Sequence, residues 1–318
     1  YSGNEKIHKN HLFYYKTSAN EIWVKNGVLF NFDPGAPKSK DNVTSITVNL
    51  HTYQETESHE KLLKVAETIN FIDADVVFLQ ECGQNKDSLL ETSPYTIEGS
   101  DEIKADNAAY IITKELNEKY GKSYKFLWSW AHYGWNIWEE GVAILTKDAV
   151  LESEVRYVSS SSSRTVIDSR KVVYLKIKDK YDRIFNLFSV HLSYNTEKYK
   201  PQKQQIEKFI QFVDEKSTDK NQITLIGGDF NMNPTDEGYF QTISPENKNL
   251  FGDSYYLTNP TGYLDNSMIG GKRIDYIFYL FERNIKPTTS QFIFREGEYY
   301  PAGRVSDHFG MITNFKID

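Results

Sequence analysis

The stretch Ile223-Thr224-Leu225-Ile226-Gly227-Gly228-Asp229-Phe230-Asn231-Met232-Asn233-Pro234 decides how the chain is read. Its apolar run has the length and β-branched content of a buried strand, and Gly, Asn and Pro break it at once. Glycines allow close backbone approach. In an extended segment Asp229 and Asn231, two residues apart, fall on one side, where they can hold a water and a phosphate oxygen. Taken alone, the element also fits a turn decorated with Asp and Asn.

The same signature recurs outward from this point. Asn49 and His51 follow the alternating strand Ile46–Leu50, and Glu81 ends the run Val76-Val77-Phe78-Leu79-Gln80. His191 lies in Leu187-Phe188-Ser189-Val190-His191-Leu192, Asp275 interrupts Arg273-Ile274-Asp275-Tyr276-Ile277-Phe278, and Asp307-His308 follows Arg304-Val305-Ser306. A carboxylate beside a buried strand is costly unless it is paired or metal-bound. One such residue is usually a salt-bridged structural group. Their recurrence through the chain makes a shared site the better reading.

Apolar spacing predicts helices over 58–71, 105–119 and 201–213, the last opened by Pro201, interleaved with strands at 75–80, 141–145, 172–177, 184–192, 274–280 and 311–315. Such alternation fits two packed sheets flanked by helices. Residues 1–44 carry two short strand-like pieces, at Phe13-Tyr14-Tyr15 and Val28-Leu29-Phe30, and read as an N-terminal extension or added strand layer. Gly35-Ala36-Pro37 reads as a linker, and Ser159–Ser163 as a mobile surface loop.

Composition narrows the function. With 318 residues and 39% apolar content, the chain can fill one large core, and no apolar run reaches transmembrane length. A formal charge of −7 lacks the basic footprint of a duplex-DNA partner. The single cysteine, Cys82, excludes an intramolecular disulfide and reads as a small core residue. Carboxylates and a carboxamide suit a hard cation such as Mg²⁺, and the lack of cysteine ligands or paired helical histidines argues against a structural or thermolysin-type zinc site. A start at Tyr1 rather than Met is expected from signal cleavage or trimming, which favours a secreted or cell-envelope location.

Asn49, Gln80-Glu81, Ser189-Val190-His191-Leu192, Gly228-Asp229-Phe230-Asn231, Arg273-Ile274-Asp275-Tyr276 and Ser306-Asp307-His308 together resemble the endonuclease/exonuclease/phosphatase superfamily, in order and in spacing, over residues 45–318. The resemblance implies a deoxyribonuclease I-like α/β (α+β) fold: a four-layered α/β/β/α sandwich of two mixed sheets with helices outside. It implies Glu81 as main metal ligand for Mg²⁺ (Mn²⁺ or Ca²⁺ as alternatives), supported by Asn49 and Asp307. Asp229 would activate the water, Asn231 would hold a phosphate oxygen, and His308 would contact the phosphate with its tautomer set by Asp275. His191 would stand on the leaving-group side, paired with Glu140, and Arg170 would position phosphate. An ordinary surface salt bridge competes with these last two assignments. His51 occupies a position where nuclease members often carry Asp, which leaves it a substrate contact.

The substrate is sought in Trp128–Trp138, which holds four of the five tryptophans and reads as an aromatic loop with half of its rings buried in packing and with Trp135 and Trp138 as substrate contacts. Within the superfamily the wording around this stretch is most similar to the bacterial branch of maltose 6'-phosphate phosphatase. The expectation is therefore a monomeric phosphoesterase acting on a phosphorylated small molecule, a sugar phosphate foremost. A sphingomyelinase- or phospholipase C-type phosphodiesterase on a phospholipid head group is the alternative. A nuclease comes next, since nothing signals nucleic-acid binding strongly, and a non-catalytic binding module last.

Overall fold

The computed structural model describes residues 30, 31, 38–196, 200–281, 283–295 and 303–318, together with the backbone of the strands within 4–29. Those first strands, β1 (Asn4–His8), β2 (Leu12–Lys16), β3 (Glu21–Lys25) and β4 (Val28–Phe30), form an antiparallel meander. The proposed linker Gly35-Ala36-Pro37 lies outside the described residues.

The body begins with β5 (Asn42–Asn49), α1 (Ser58–Ile72), β6 (Val76–Gln80), β7 (Gln84–Asn85), α2 (Ala108–Glu118), β8 (Lys125–Gly134) and β9 (Trp138–Thr146). It continues through β10 (Ala149–Tyr157), β11 (Lys171–Lys178), β12 (Ile184–His191), α3 (Gln202–Lys216), β13 (Ile223–Asp229), α4 (Glu237–Thr242), β14 (Phe251–Asp253) and α5 (Ser254–Thr258). The chain closes with β15 (Asp275–Leu280), β16 (Ile285–Ile293) and β17 (Gly310–Ile317). One sheet runs β16-β17-β5-β6-β9-β7 with β8 added on β9; the other runs β10-β11-β12-β13-β15-β14. Both are mixed. Each holds one parallel pair, β5–β6 and β12–β13, and antiparallel partners elsewhere.

That pairing fixes the layers. A parallel pair needs a crossover, and here α1 and α3 supply one for each sheet. Alternation along β13 shows the result: Ile223 and Leu225 join the core between the sheets, whereas Ile226 joins the core under α3. Phe78, Leu127, Val142 and Ile144 of the first sheet meet Val173, Leu175 and Leu187 of the second. Leu62, Val65 and Ile69 of α1 pack with Ile112 and Leu116 of α2 on the other face of the first sheet. Helix, sheet, sheet, helix is the order the strand-and-helix pattern predicts.

Several expectations shift. The aromatic stretch is not a loop but the hairpin β8–β9, with a bulge between Trp130 and His132 that breaks the period-two alternation. Trp128 and Trp130 are buried in the core under α2, while Trp135 is 66% exposed at the hairpin tip. The serine run is a surface loop, as expected, with Ser160, Ser162 and Ser163 exposed, but it is tied down at its root. Ser159 is buried and accepts from the Arg170 backbone amide at 2.8 Å, and Ser169 Oγ donates to Ser163 O at 2.6 Å. The run is a hydrogen-bonded shelf beneath Arg170. Strands β10 and β16 give little apolar signal because their outer faces are partly exposed, and β14 because it is only three residues long.

Gly227 and Gly228 are where the two sheets close on the site. A Cβ on Gly227 would lie 2.2 Å from the Phe78 ring, and one on Gly228 would lie 2.2 Å from Val190 O. The second contact is with backbone and has nowhere to yield. Gly228→Ala is therefore expected to destabilise the fold by about 2 kcal/mol or more, read as a lowered midpoint in urea denaturation with an unchanged m-value.

Candidate active site

Both parallel pairs end at the same pole of the sandwich, and ligand sites in sheets with crossovers form outside such carboxyl ends. Asn49 ends β5 opposite Gln80 of β6, His191 ends β12 opposite Asp229 of β13, and Asp229 in turn pairs with Asp275 at the start of β15. Register alone gathers residues spread over more than two hundred positions. The backbone then turns sharply: Glu81, His51 and Asn231, each one or two residues beyond a strand, adopt left-handed φ of 42°, 47° and 49°. Such conformations cost non-glycine residues of order 1 kcal/mol each. They swing the side chains across the strand ends.

At the centre, the buried Asn49 amide donates to Glu81 Oε1 at 2.9 Å and to Asp229 Oδ2 at 3.0 Å, bridging the two sheets. Its own Oδ1 accepts from the His51 backbone amide at 3.0 Å. Asp229 Oδ1 accepts from the Asn231 backbone amide at 2.8 Å. The Asn231 side-chain amide donates to Leu192 O at 2.9 Å and stands 3.3 Å from His191 Nε2. His308 Nδ1 meets Asp275 Oδ2 at 2.9 Å, and Ser267 Oγ donates to the same oxygen at 2.6 Å. His191 Nε2 and His308 Nε2 lie 3.6 and 3.8 Å from Asp229 Oδ2.

Charge crowding sets the protonation states. Burial, then Glu140, pushes the Glu81 carboxyl up to about 7. Burial, then Asp275, pushes Asp229 up to about 7 as well. Burial and the Arg170 guanidinium drive His191 well below the usual imidazole range, so it is neutral. For His308 burial opposes charge, but Asp275 prevails and lifts it to about 10. Glu140 is the reverse case: burial opposes ionisation, yet His132, Arg170 and His191 hold its carboxyl below the ordinary range.

Most of the residues anticipated from sequence converge on one cavity of about 440 Å³, lined among others by Glu81, Glu140, Arg170, His191, Asp229, Asn231 and His308. Trp135, Ile167 and Tyr194 stand on its rim, each more than half exposed, from three separate loops. The Glu140–Arg170 pair is real, at 3.2 Å, but it is buried rather than superficial. Glu140 and His191 stand 3.6 Å apart. His51 faces Glu55 at 2.8 Å and Asp307 at 3.3 Å instead of lining the cavity. Trp138 is also outside the lining and stacks on Tyr53, with ring centroids 5.0 Å apart. Sequence reading passed over Tyr53, Glu55, His132 and Ser267. Only His132 carried a signal, in the aromatic stretch; the others act through partners that folding supplies.

The donor set fits a hard divalent cation. Glu81, His191 and Asp229 place ligand atoms within 4.8 Å of one another. Asp275 Oδ1 is buried with no hydrogen-bond partner, and two neighbouring carboxyls resist ionisation, so a cation here would relieve an electrostatic deficit. Cys82 is buried and its thiol is pushed up by that burial, which removes it as a soft ligand. Among the described residues no helix is long and apolar enough to cross a membrane.

Residues 46–308 match the sequence model of the Endonuclease/Exonuclease/phosphatase family. No curated protein matches the chain. Among solved structures, a family protein from Leptotrichia buccalis is 23% identical, with 87% of this chain and 99% of that one covered and a TM-score of 0.68. The human Nocturnin catalytic domain with bound sulfate is 15% identical, covers 87% and 95%, and has a TM-score of 0.63. A Bacteroides thetaiotaomicron mannosyl-6-phosphatase is 18% identical over 86% and 99%, at 0.59. These similarities establish the fold.

The His308–Asp275 pair gives a direct test. A folded-state pKa of about 10 lies above the unfolded value near 6.5, so the pair stabilises fully below about pH 6.5 and is lost as pH rises through 10. The His308 imidazole signals should not titrate between pH 6 and 8 in NMR spectra, and Asp275→Asn should bring their titration down into that range.

Proposed function

Because the chain belongs to the Endonuclease/Exonuclease/phosphatase family, we propose that it is a Mg²⁺-dependent phosphoesterase that hydrolyses a phosphomonoester of a sugar or another small molecule by direct attack of water. The observation that carries this reading is the convergence of Asp229, His308, His191 and Glu81 on one cavity with their proton affinities driven apart. A carboxyl near 7 beside an imidazolium near 10 is the pattern of a base and a charge-stabilising acid working at neutral pH.

Glu81 and Asn49, with Asp307 in support, would hold the cation; Mn²⁺ or Ca²⁺ could replace Mg²⁺ on the same oxygen donors. When bound, the ion neutralises phosphate charge. The chain's own residues do the rest. Asp229, held by the Asn231 amide and the Asn49 side chain, takes one proton as water oxygen bonds to phosphorus, and the departing oxygen, released as its bond to phosphorus breaks, takes a proton from solvent to leave as the alcohol. Protonated His308 faces the growing oxygen charge. Asn231 fixes His191, and Arg170 stands beside it to orient phosphate. No serine or cysteine nucleophile is required, so no phosphoenzyme forms.

The small-molecule reading is supported by the rim. Among the described residues the cavity lining contributes, beyond the catalytic groups, Arg170, already paired with Glu140, and Lys272 as its cations, few for tracking a polyanionic strand. Trp135 and Tyr194 offer flat faces suited to a sugar or similar leaving group. The mannosyl-6-phosphatase among the structural relatives accords with a phosphatase. The exposed Trp135 and Ile137 at the hairpin tip favour, as a second reading, a phosphodiesterase acting on a lipid head group.

A panel of sugar phosphates, sphingomyelin vesicles and plasmid DNA in Mg²⁺ separates the readings: turnover confined to the sugar phosphates is expected, and cleavage of DNA alone overturns the choice. Asp229→Asn and His308→Ala should each lower kcat by about 10²–10⁴-fold; near-normal turnover in either would remove the proposed mechanism. EDTA should abolish activity. Independently of turnover, Mg²⁺ should raise the Tm more at pH 8 than at pH 5.5, because carboxyls near 7 must lose their protons to bind it.

A further inference from the structure

We propose that Tyr53 is a positioning residue: its hydroxyl fixes the Glu140 carboxylate while its ring rests on the Trp135–Trp138 hairpin, so the rim of the cavity and the Glu140–Arg170–His191 group are held as one unit. The inference rests on the phosphoesterase reading for its kinetic consequence, but its geometry stands apart from it.

Tyr53 lies in the short helical turn Thr52–Gln54, immediately after left-handed His51. Its hydroxyl donates to Glu140 Oε2. The other carboxylate oxygen, Oε1, faces Arg170 at 3.2 Å, His132 Nε2 at 3.4 Å and His191 Nδ1 at 3.6 Å. The division matters, because a carboxylate turns freely about its last bond unless both oxygens are engaged. With Oε2 occupied, Oε1 alone is presented to the guanidinium and the two imidazoles. His132 is itself fixed, Nδ1 lying 3.0 Å from Ser169 O, so the carboxylate is gripped from opposite sides.

The ring has a place built for it. It stacks face to face on Trp138, with centroids 5.0 Å apart and an 8° interplanar angle, and Trp135 meets it edge-on at 5.9 Å. Glycines lie on two sides. A Cβ on Gly83 would come within 2.8 Å of the ring, and one on Gly134 within 2.7 Å of the hydroxyl oxygen. Gly83 follows Glu81-Cys82, and Gly134 ends β8. The one aromatic side chain thus spans from the backbone beside Glu81 to the root of the exposed hairpin. Removing only the hydroxyl leaves these ring contacts and takes the donor from a buried charged oxygen, a loss that exceeds that of a neutral hydrogen bond.

Steady-state kinetics on p-nitrophenyl phosphate with Mg²⁺, for wild type, Tyr53→Phe, Glu140→Gln and the double variant, test the proposal. Tyr53→Phe is expected to lower kcat about tenfold or more with KM within about twofold of wild type, and to have no further effect in Glu140→Gln. Gly134→Ala, which displaces the ring but keeps the hydroxyl, should reproduce the kcat loss. A kcat for Tyr53→Phe within about twofold of wild type, or an equal loss in the Glu140→Gln background, overturns the inference. A crystal structure of Tyr53→Phe supplies a readout that needs no turnover: the Glu140 carboxylate should rotate toward Arg170, and an unchanged carboxylate overturns the inference. If wild type cleaves neither this ester nor the phosphoester panel, the functional reading fails, and the crystal structure alone decides the role of Tyr53.

Discussion

One carboxamide ties the two halves of this molecule together where they do chemistry. Glu81 belongs to one sheet and Asp229 to the other, and both are carboxylates at the edge of a shared core. Placed there without a donor between them they would repel across a poorly screened gap. The Asn49 amide donates to both at 2.9 and 3.0 Å, so the sheets can close to the distance at which residues from each contact the same small volume. Both carboxyls nonetheless stand at about 7, raised first by burial and then by Glu140 in the case of Glu81 and by Asp275 in the case of Asp229. On the proposed mechanism, those raised carboxyls are what a bound cation would relieve and what would let Asp229 act as a base near neutrality.

The rest of the site follows from where the parallel pairs sit. Each sheet carries one, each is closed by a helical crossover, and the carboxyl ends of both open at the same pole. Antiparallel partners then deliver the starts of their strands to that pole, which is how Asp275 and His308 arrive opposite Asp229. Chemistry common to the family sits on these rigid ends. The rim is built differently, from the β8–β9 hairpin, the segment before Arg170 and the segment after His191, which contribute Trp135, Ile167 and Tyr194. Loops with such separate origins can change without disturbing the strand ends, and substrate choice is a property of those loops rather than of the fold.

Much of this was legible in the sequence because a buried strand that ends in a polar residue leaves a visible discontinuity. Asn49, Glu81, His191 and Asp229 all carry that mark at a strand's end, Asp275 carries it at a strand's start, and all five meet at the site. The aromatic hairpin was misread as a loop because a single bulged residue between Trp130 and His132 shifts the alternation halfway along the strand. The serine run is the surface loop its composition suggests, but its anchoring is not legible locally, because it comes from Ser169 and Arg170, which pair with the run only after the chain has turned back. Tyr53 and Ser267 leave no such mark: neither ends a strand, and each hydroxyl acts on a carboxylate, Tyr53 on the distant Glu140 and Ser267 on Asp275 across a turn. Side chains that act on the ligand advertise themselves locally; those that act on another side chain do not.

The left-handed backbone at Glu81 and Asn231, together with the crowded carboxylates, means that the working end of the molecule is also its least comfortable part. Evolution of such a protein runs along a line where the groups that carry out the reaction subtract from the free energy of the fold. A variant that replaces Glu81 with glycine would relieve the strained φ and remove a crowded carboxyl, at the loss of its Asn49 hydrogen bond and, on the proposed mechanism, of the cation's main ligand. Heat resistance in this scaffold is therefore a poor guide to competence, and a lineage that lost its reaction would drift toward sturdier, silent descendants.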